Sequence, residues 1–210
     1  MLDAALLIRN ESVASSDAAT FERVNPITGT VATRAAAASV EDAVHAANVA
    51  ASAFPAWSAL RPNARREVLH RVADLLLSRS DDFVEAMSAE TGGTRQWGEY
   101  NCRLAADVLR EAASMTTRMT GEVIPTDKPG SFSMAVREPC GVVLSLAPWN
   151  APVVLGVRSV AWALACGNTV VLKASELCPR THGLIGEVFQ EAGLPAGALN
   201  VVNNAPDDAD

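Results

Sequence analysis

The sequence has little positive charge and few cysteines, histidines or aromatic residues, and these scarcities exclude several classes of function. Seventeen lysines and arginines are outnumbered by 24 acidic residues, and the net charge of −7 argues against a nucleic-acid partner. Three histidines and four irregularly spaced cysteines match no zinc pattern. We therefore expect reduced thiols and a cytoplasmic location, rather than disulfides or a metal site.

Long hydrophobic runs and export signals are also missing. No stretch approaches the roughly 18 apolar residues that would cross a bilayer, so no membrane partner is expected. The start of the chain carries Asp3 and has no basic leader, which makes it a poor secretory signal. We interpret residues 1–20, which are rich in alanine and serine, as a loose leader. The 210 residues, 49% of them hydrophobic, can nevertheless bury a substantial core.

Helical patterns dominate the first 120 residues. Two short strands joined by a turn are predicted within 21–31. Ser39 and Asp42 then form a capping-box pattern, which indicates the start of a helix. Apolar positions at three- and four-residue intervals predict further helices. The predicted helices cover about 39–53, 62–78, 81–90 and 96–119.

The pattern changes to strands in the second half of the chain. Residues 131–137 alternate apolar and polar side chains, which predicts a half-buried antiparallel strand. Apolar segments then predict three buried strands, the first of them covered on both faces. The strands cover 142–146, 169–172 and 198–202, and the helices between them cover about 152–166 and 179–192.

This alternation predicts an α/β fold. A helical N-terminal segment is followed by an antiparallel arm and by half of a doubly wound, Rossmann-like parallel sheet. Right-handed crossovers bring the carboxyl ends of parallel strands to one edge of the sheet, and ligands of such sheets bind there. Pro148-Trp-Asn150 and Lys173-Ala-Ser-Glu176 both follow strands at that edge.

The residues alone leave two interpretations open for each segment. The Asn150 amide is either a donor that stabilises developing negative charge or a cap of the helix that follows. Trp149 either lines a ligand site or packs in the core. Lys173 and Glu176 either bind a ligand or form a solvated pair of charges.

The segments Pro148–Pro152 and Leu164–Glu176 resemble the NAD(P)-dependent aldehyde dehydrogenase superfamily, and the resemblance extends from about Phe21 to the end. It is greatest to enzymes for aromatic aldehydes, of the salicylaldehyde or vanillin type. It implies oxidation of an aldehyde through a cysteine-bound thiohemiacetal, hydride transfer to NAD(P)⁺ and hydrolysis of a thioester. The alternatives are an aliphatic or semialdehyde dehydrogenase, or a non-catalytic module for nucleotide binding or oligomerisation.

The resemblance also assigns roles to residues. Asn150 corresponds to the asparagine that stabilises the oxyanion. Lys173 and Glu176, with Ser175 between them, correspond to the segment that holds the adenosine ribose. A carboxylate there favours NAD over NADP because it repels a 2′-phosphate. Contacts near the nicotinamide ribose are expected from Ala147, Pro148 and Trp149.

By the same resemblance, residues 21–119 and 139–210 form a partial cofactor-binding domain, and residues 120–138 form an oligomerisation arm. An ordinary surface hairpin is the alternative for the arm. The full-length protein is expected to be a homodimer or homotetramer. The resemblance places a glycine turn, a glutamate base, the nucleophilic cysteine and the catalytic domain after residue 210. No cysteine of this chain is expected to be the nucleophile, so the 210 residues alone should not oxidise aldehyde.

Overall fold

The computed structural model describes residues 1–208, which form an α/β fold with three sheets and six α-helices. The strands are β1 (Leu2–Ala4), β2 (Leu6–Ile8), β3 (Glu11–Val13), β4 (Thr20–Val24), β5 (Val31–Ala36), β6 (Glu122–Ile124), β7 (Ser133–Ala135), β8 (Val142–Leu146), β9 (Thr169–Lys173) and β10 (Leu199–Val202). The helices are α1 (Val40–Ser58), α2 (Pro62–Ser78), α3 (Ser80–Thr91), α4 (Arg95–Met115), α5 (Pro152–Ala165) and α6 (Pro179–Glu191). Residues 209 and 210, the end of the predicted segment 139–210, lie outside the described residues.

The central sheet has five strands in the order β3-β2-β10-β9-β8. Strands β8, β9 and β10 are parallel, and α5 and α6 connect them. The side chains of Val170 and Leu172 pack with α5 and α6, whereas Val171 packs with α1 on the opposite face. The predicted fold class is confirmed, and β8, β9 and β10 are the three parallel strands that the sequence predicts.

The expectation of a loose leader over residues 1–20 is wrong, because this segment contains three strands. Strand β2 pairs antiparallel with β10, and all three of its side chains are buried. Arg9 and Asn10 connect β2 to β3 with φ values of 55° and 62°, as a two-residue type I′ hairpin requires. A strand of three residues is too short to be recognised from alternating apolar and polar side chains. The turn of the β2–β3 hairpin also contains no glycine, which is the residue that usually indicates such a turn in a sequence.

The helices lie close to their predicted positions. Helix α2 covers the predicted range, while α1 extends five residues further than predicted and α4 ends four residues earlier. Pro55 does not end α1, because the fully buried Trp57 anchors its last turn in the core. The Trp57 indole N–H also donates to the Leu164 carbonyl at 3.2 Å. This bond joins α1 to α5.

Strand β8 is covered on one face only, contrary to the prediction. Leu144 and Leu146 are 65% and 66% exposed, and Val142 on the same face is also exposed. Within the described residues β8 is an edge strand, and α1 lies mainly over β9 and β10. Because the side chains of a strand alternate between its two faces, the apolar side chains of Val142, Leu144 and Leu146 form one uncovered row.

The predicted strand at 131–137 exists as β7, which pairs antiparallel with β6. Its expected half-burial is wrong, since Phe132, Met134 and Val136 are all exposed. The two strands form a separate ribbon with no second layer in the described part of the chain. None of the six described helices combines the length and apolarity needed to cross a bilayer.

Candidate active site

The ends of three parallel strands form the edge on which the candidate site is built. Leu146 of β8 pairs with Lys173 of β9, and Lys173 pairs with Val202 of β10. The pairing continues past β8, because the Ala147 N–H donates to the Lys173 carbonyl at 3.1 Å. The Ala174 N–H donates to the Val202 carbonyl at 2.8 Å. Both predicted segments therefore start from one rigid edge, as the sequence indicates.

An open cleft of about 700 Å³ lies at this edge. Three of the seven predicted site residues line it: Ala147, Pro148 and Lys173. The cleft wall also includes Asn203 and Asn204, which follow β10, and the first turn of α1. Sequence reasoning missed these parts of the wall. The one signal in the sequence is the position of Asn203 directly after a buried strand, which could have indicated that Asn203 lines the cleft.

Asn150 lies in the exposed turn between β8 and α5. The N-cap residue of α5 is Ala151, and no side chain caps this helix. The interpretation of Asn150 as a helix cap is therefore wrong. Trp149 is 52% exposed, so the interpretation that it packs in the core is wrong as well. Both side chains are available to a ligand.

The residues after Asn150 anchor its turn. Ala151 and Pro152 are buried, and Pro152 occupies the first turn of α5, where a missing N–H has no consequence. The fully buried Asn101 of α4 accepts a long hydrogen bond from the Val154 N–H at 3.5 Å. The Asn101 amide donates in turn to the Trp97 carbonyl at 3.0 Å. The Asn150 turn is thus held against α4.

The second segment places a pair of opposite charges after β9. The Lys173 ammonium lies 3.3 Å from a carboxylate oxygen of Glu176, and both side chains are about one quarter exposed. Partial burial works to raise the pKa of Glu176, but a hydrogen bond donated by its own backbone N–H and the Lys173 charge hold the pKa below its usual range. Glu176 is therefore anionic at neutral pH.

Ser175 is buried, and its polar groups are used within the protein. Its hydroxyl accepts a hydrogen bond from the Leu177 N–H at 3.3 Å. Its own N–H donates to Nδ1 of His182 at 3.0 Å. Ser175, Glu176, Trp149 and Asn150 do not line the cleft. The structure thus places the seven predicted residues on two neighbouring segments, with three of them at the cleft.

The four cysteines are free thiols. Burial raises the pKa of Cys102 to about 12 and also raises the pKa values of Cys166 and Cys178 above the usual range. A buried, protonated thiol is a poor nucleophile. Across residues 1–208, no three His, Cys, Asp or Glu side chains converge in a way that could hold a metal ion.

Comparison with known proteins gives a consistent result. Residues 13–209 match the model of the aldehyde dehydrogenase family. The chain is 59% identical over 209 residues to a vanillin dehydrogenase of Pseudomonas fluorescens, across 100% of this chain and 43% of that protein. It is 48% identical over 202 residues to a salicylaldehyde dehydrogenase of Pseudomonas putida, across 96% of this chain and 42% of that protein.

Solved structures agree with these relatives. The salicylaldehyde dehydrogenase of Pseudomonas putida G7, complexed with salicylaldehyde, superposes with a TM-score of 0.96 at 46% identity, over 99% of this chain and 43% of that chain. PnpE in complex with nicotinamide adenine dinucleotide gives a TM-score of 0.94 at 34% identity, over 98% of this chain and 42% of that chain. The present chain therefore spans less than half the length of its relatives.

Proposed function

The chain belongs to the aldehyde dehydrogenase family, and from this premise we propose that it supplies the cofactor-binding part of an enzyme that oxidises an aldehyde to a carboxylic acid. The observation that carries the proposal is the exposed Asn150 side chain. It does not cap α5, and it lies at the same sheet edge as the Lys173–Glu176 pair. By full-length enzyme we mean these residues together with the remaining length that the relatives have.

Asn150 has a specific task in this proposal. When a thiolate attacks an aldehyde, the carbonyl oxygen gains negative charge, and a fixed amide N–H₂ can stabilise it. One such donor is worth about 10²–10³ in rate. The turn is suited to this task because buried residues fix it on its C-terminal side. The nucleophilic cysteine and the glutamate base are expected outside these residues.

A nicotinamide cofactor, when bound, accepts the hydride from the aldehyde carbon. We propose that Lys173 and Glu176 hold its adenosine ribose, with Ala147, Pro148 and Trp149 near the nicotinamide end. The Glu176 carboxylate is anionic and oriented by Lys173, so it can accept hydrogen bonds from the two ribose hydroxyls. The same charge repels a 2′-phosphate, which favours NAD over NADP.

We propose an aromatic aldehyde as the substrate, of the salicylaldehyde or vanillin class. The support is the similarity to a vanillin dehydrogenase and a salicylaldehyde dehydrogenase over nearly the whole chain. An aliphatic or semialdehyde substrate is the alternative. The ratio of kcat/KM for salicylaldehyde and for hexanal, measured with the full-length enzyme, distinguishes the two substrate classes.

The oligomerisation role of residues 120–138 and the homodimer or homotetramer are part of the same proposal. The β6–β7 ribbon carries exposed apolar side chains on both strands, which a neighbouring subunit could cover. A cytoplasmic location is proposed as well, and the four free thiols are consistent with it.

The test of the proposed function is Asn150→Ala in the full-length enzyme. We expect kcat for salicylaldehyde oxidation to fall about 10²–10³-fold, while the Kd for NAD stays within about twofold, because the amide acts on the reacting oxygen. NADH absorbance measures the first quantity, and quenching of protein fluorescence measures the second.

Asn63→Ala is the matched control, since Asn63 is an exposed asparagine on α2. Its kinetic constants should equal those of the wild type. An Asn150→Ala enzyme that loses NAD affinity as strongly as turnover would contradict the assigned role. A wild-type full-length protein that binds NAD but oxidises no aldehyde would favour the non-catalytic module.

Glu176→Ser tests the cofactor assignment. Removing the carboxylate should raise kcat/KM for NADP relative to NAD by about tenfold or more, because the repulsion of the 2′-phosphate disappears. Glu67→Ser, at an exposed position of α2, is the control. An unchanged cofactor ratio in Glu176→Ser would exclude Glu176 from the ribose site.

A further inference from the structure

His182 joins the two segments of the candidate site to each other. It lies in the first turn of α6 and is fully buried. Its Nδ1 atom accepts a hydrogen bond from the Ser175 N–H at 3.0 Å. Its Nε2 atom lies 3.2 Å from the Pro152 carbonyl oxygen. One ring therefore contacts the loop that carries Lys173 and Glu176 and also the helix turn that follows Asn150.

These two contacts define the chemical state of the ring. The Ser175 N–H can only donate, and the Pro152 carbonyl can only accept. The ring must therefore carry its proton on Nε2 and leave Nδ1 free, which is one tautomer of neutral imidazole. Burial lowers the pKa of His182 to about 4, so the ring stays neutral at physiological pH. Protonation would place a second N–H against the Ser175 N–H and break that contact.

The surroundings of the ring allow only a small residue opposite it. A Cβ atom at Gly156 of α5 would lie 2.5 Å from the Ile185 side chain and 3.1 Å from the His182 ring. The absence of this atom lets α5 and α6 approach closely enough for Nε2 to reach Pro152. The Cys178 sulfur lies 3.8 Å from Nδ1, and Lys173 and Glu176 are the charged groups that act on the ring.

We propose that His182 is a positioning residue that sets the separation between the Asn150 turn and the Lys173–Glu176 loop. The inference rests on the proposed function. Pro152 follows Asn150 by two positions, and Ser175 lies between Lys173 and Glu176. One loop holds the ribose and the other turn stabilises the reacting oxygen, so their separation decides whether the hydride donor and acceptor align. A misplacement of about 1 Å can cost about 10²-fold in rate.

The alternative is a histidine that only stabilises the core. Both alternatives predict a lower melting temperature when the ring is replaced, so melting cannot separate them. They differ in kinetics. A positioning residue affects kcat at saturating NAD more than it affects the binding of AMP, which needs only the ribose end. A residue that contributes only to stability leaves both constants unchanged in the folded fraction.

The experiment uses the full-length enzyme with His182→Phe, which keeps a ring and loses both hydrogen bonds, and His182→Asn, which keeps an acceptor near the Nδ1 position. We expect His182→Phe to lower kcat about 10–100-fold with the Kd for AMP within about threefold of the wild type. His182→Asn should bind AMP as the wild type does and still lose turnover, because it does not reach Pro152. His70→Phe, on an exposed face of α2, is the matched control.

If His182→Phe folds and retains a kcat within twofold of the wild type, the positioning role is excluded. If His182→Phe does not fold, the proposal is tested by NMR on the wild-type enzyme labelled with ¹⁵N-histidine. Its His182 signals should show the neutral Nε2–H tautomer and should not move between pH 6 and pH 9. An Nδ1–H tautomer, or a titration in that range, would overturn the proposal. A wild-type enzyme with no aldehyde oxidation would instead overturn the proposed function, and the two failures are therefore distinguishable.

Discussion

Through its backbone and its side chain, Asp42 forms hydrogen bonds with two separate segments of the chain. Its N–H donates to the Ser39 hydroxyl at 3.2 Å, and its carboxylate accepts from the Ser39 N–H at 2.9 Å. This is the predicted capping box at the start of α1. The carboxylate also accepts from the Ser16 N–H and the Ser15 hydroxyl, both at 3.1 Å. Asp42 thus fixes the segment between β3 and β4 as well.

These bonds make stability depend on pH in a defined direction. Partial burial works to raise the pKa of Asp42, but the hydrogen bonds from Ser39, Ser16 and Ser15 lower it to about 2. A carboxyl group with a lowered pKa stabilises the fold above its ordinary value, and this contribution is lost as the pH falls from about 4 to about 2. Asp42→Asn should therefore lower the free energy of unfolding by about 1–2 kcal/mol at pH 7 and by less at pH 3.

Urea unfolding of the full-length enzyme at pH 7, 4 and 3 measures this difference. Asp3→Asn, at an exposed position of β1, is the control and should change nothing at any pH. A difference between Asp42→Asn and the wild type that stays constant from pH 7 to pH 3 would show that the charge of Asp42 is not responsible.

Sequence reasoning succeeded at residues whose partners are near in the chain. The Ser39–Asp42 box has a spacing of three, and the sequence shows it directly. The position of Asn150 at a strand end also follows from local pattern. His182 and Pro152 could not be paired in this way, because their contact depends on how closely α5 and α6 pack. Sequence patterns do not contain that distance.

At the scale of elements, a side chain at the end of α3 caps the start of α6. Helix α6 begins at Pro179 and has no side-chain cap from its own preceding residues. Glu90, at the end of α3, accepts hydrogen bonds from the Arg180 N–H at 2.8 Å and the Thr181 N–H at 2.9 Å. It also accepts from the hydroxyls of Thr181 and Thr33. Glu90 thereby joins α3, β5 and the start of α6.

Glu90→Gln tests this element-scale cap. Burial outweighs the four hydrogen bonds and raises the pKa of Glu90 above its usual range. The amide of glutamine would remove the charge, but its NH₂ group would face one of the two backbone N–H donors. We expect a loss of about 1–3 kcal/mol in the free energy of unfolding, which thermal and urea unfolding can measure. The exposed Glu85 of the same helix provides the control, Glu85→Gln, and equal stability of both variants would refute the cap.

Long elements could be predicted and short ones could not. Helix α2 follows from periodicity, because its apolar stripe contains five positions over about two and a half turns: Val68, Leu69, Val72, Leu75 and Leu76. Strands β1, β2 and β3 have three residues each, which is too few for alternation to be recognised. The exposed row on β8 was also missed, since an apolar sequence does not show which neighbours cover it.

At the scale of the whole molecule, strands β2 and β3 near the start of the chain complete the central sheet. Leu6 is fully buried and packs in one cluster with Val171 and Val202. The Arg9 N–H donates to the Asn200 side chain at 2.9 Å. The beginning of the chain therefore covers the β10 edge of the sheet that carries the candidate site.

Leu6→Ala should lower the free energy of unfolding by about 2–5 kcal/mol, because it opens a cavity in a closed core. Deletion of residues 1–14 should destabilise the protein further, since it exposes the edge of β10 to solvent. Urea unfolding of the full-length enzyme measures both effects. Ile27→Ala, at a side chain that is 75% exposed, is the control. If neither Leu6→Ala nor the deletion of residues 1–14 lowered the free energy of unfolding, the result would support the interpretation of residues 1–20 as a loose leader.

The pairing of β2 with β10 has a consequence for biosynthesis. Arg9 and Asn200 are 191 positions apart in the sequence. A ribosome that adds about 5–20 residues per second needs about 10–40 s to make the partner strand after β2 has emerged. During that time Leu6, Leu7 and Ile8 can pair only with β3, and their other edge is exposed to chaperones and to other nascent chains. One edge of β2, a strand made early, is thus paired only after β10 has been made.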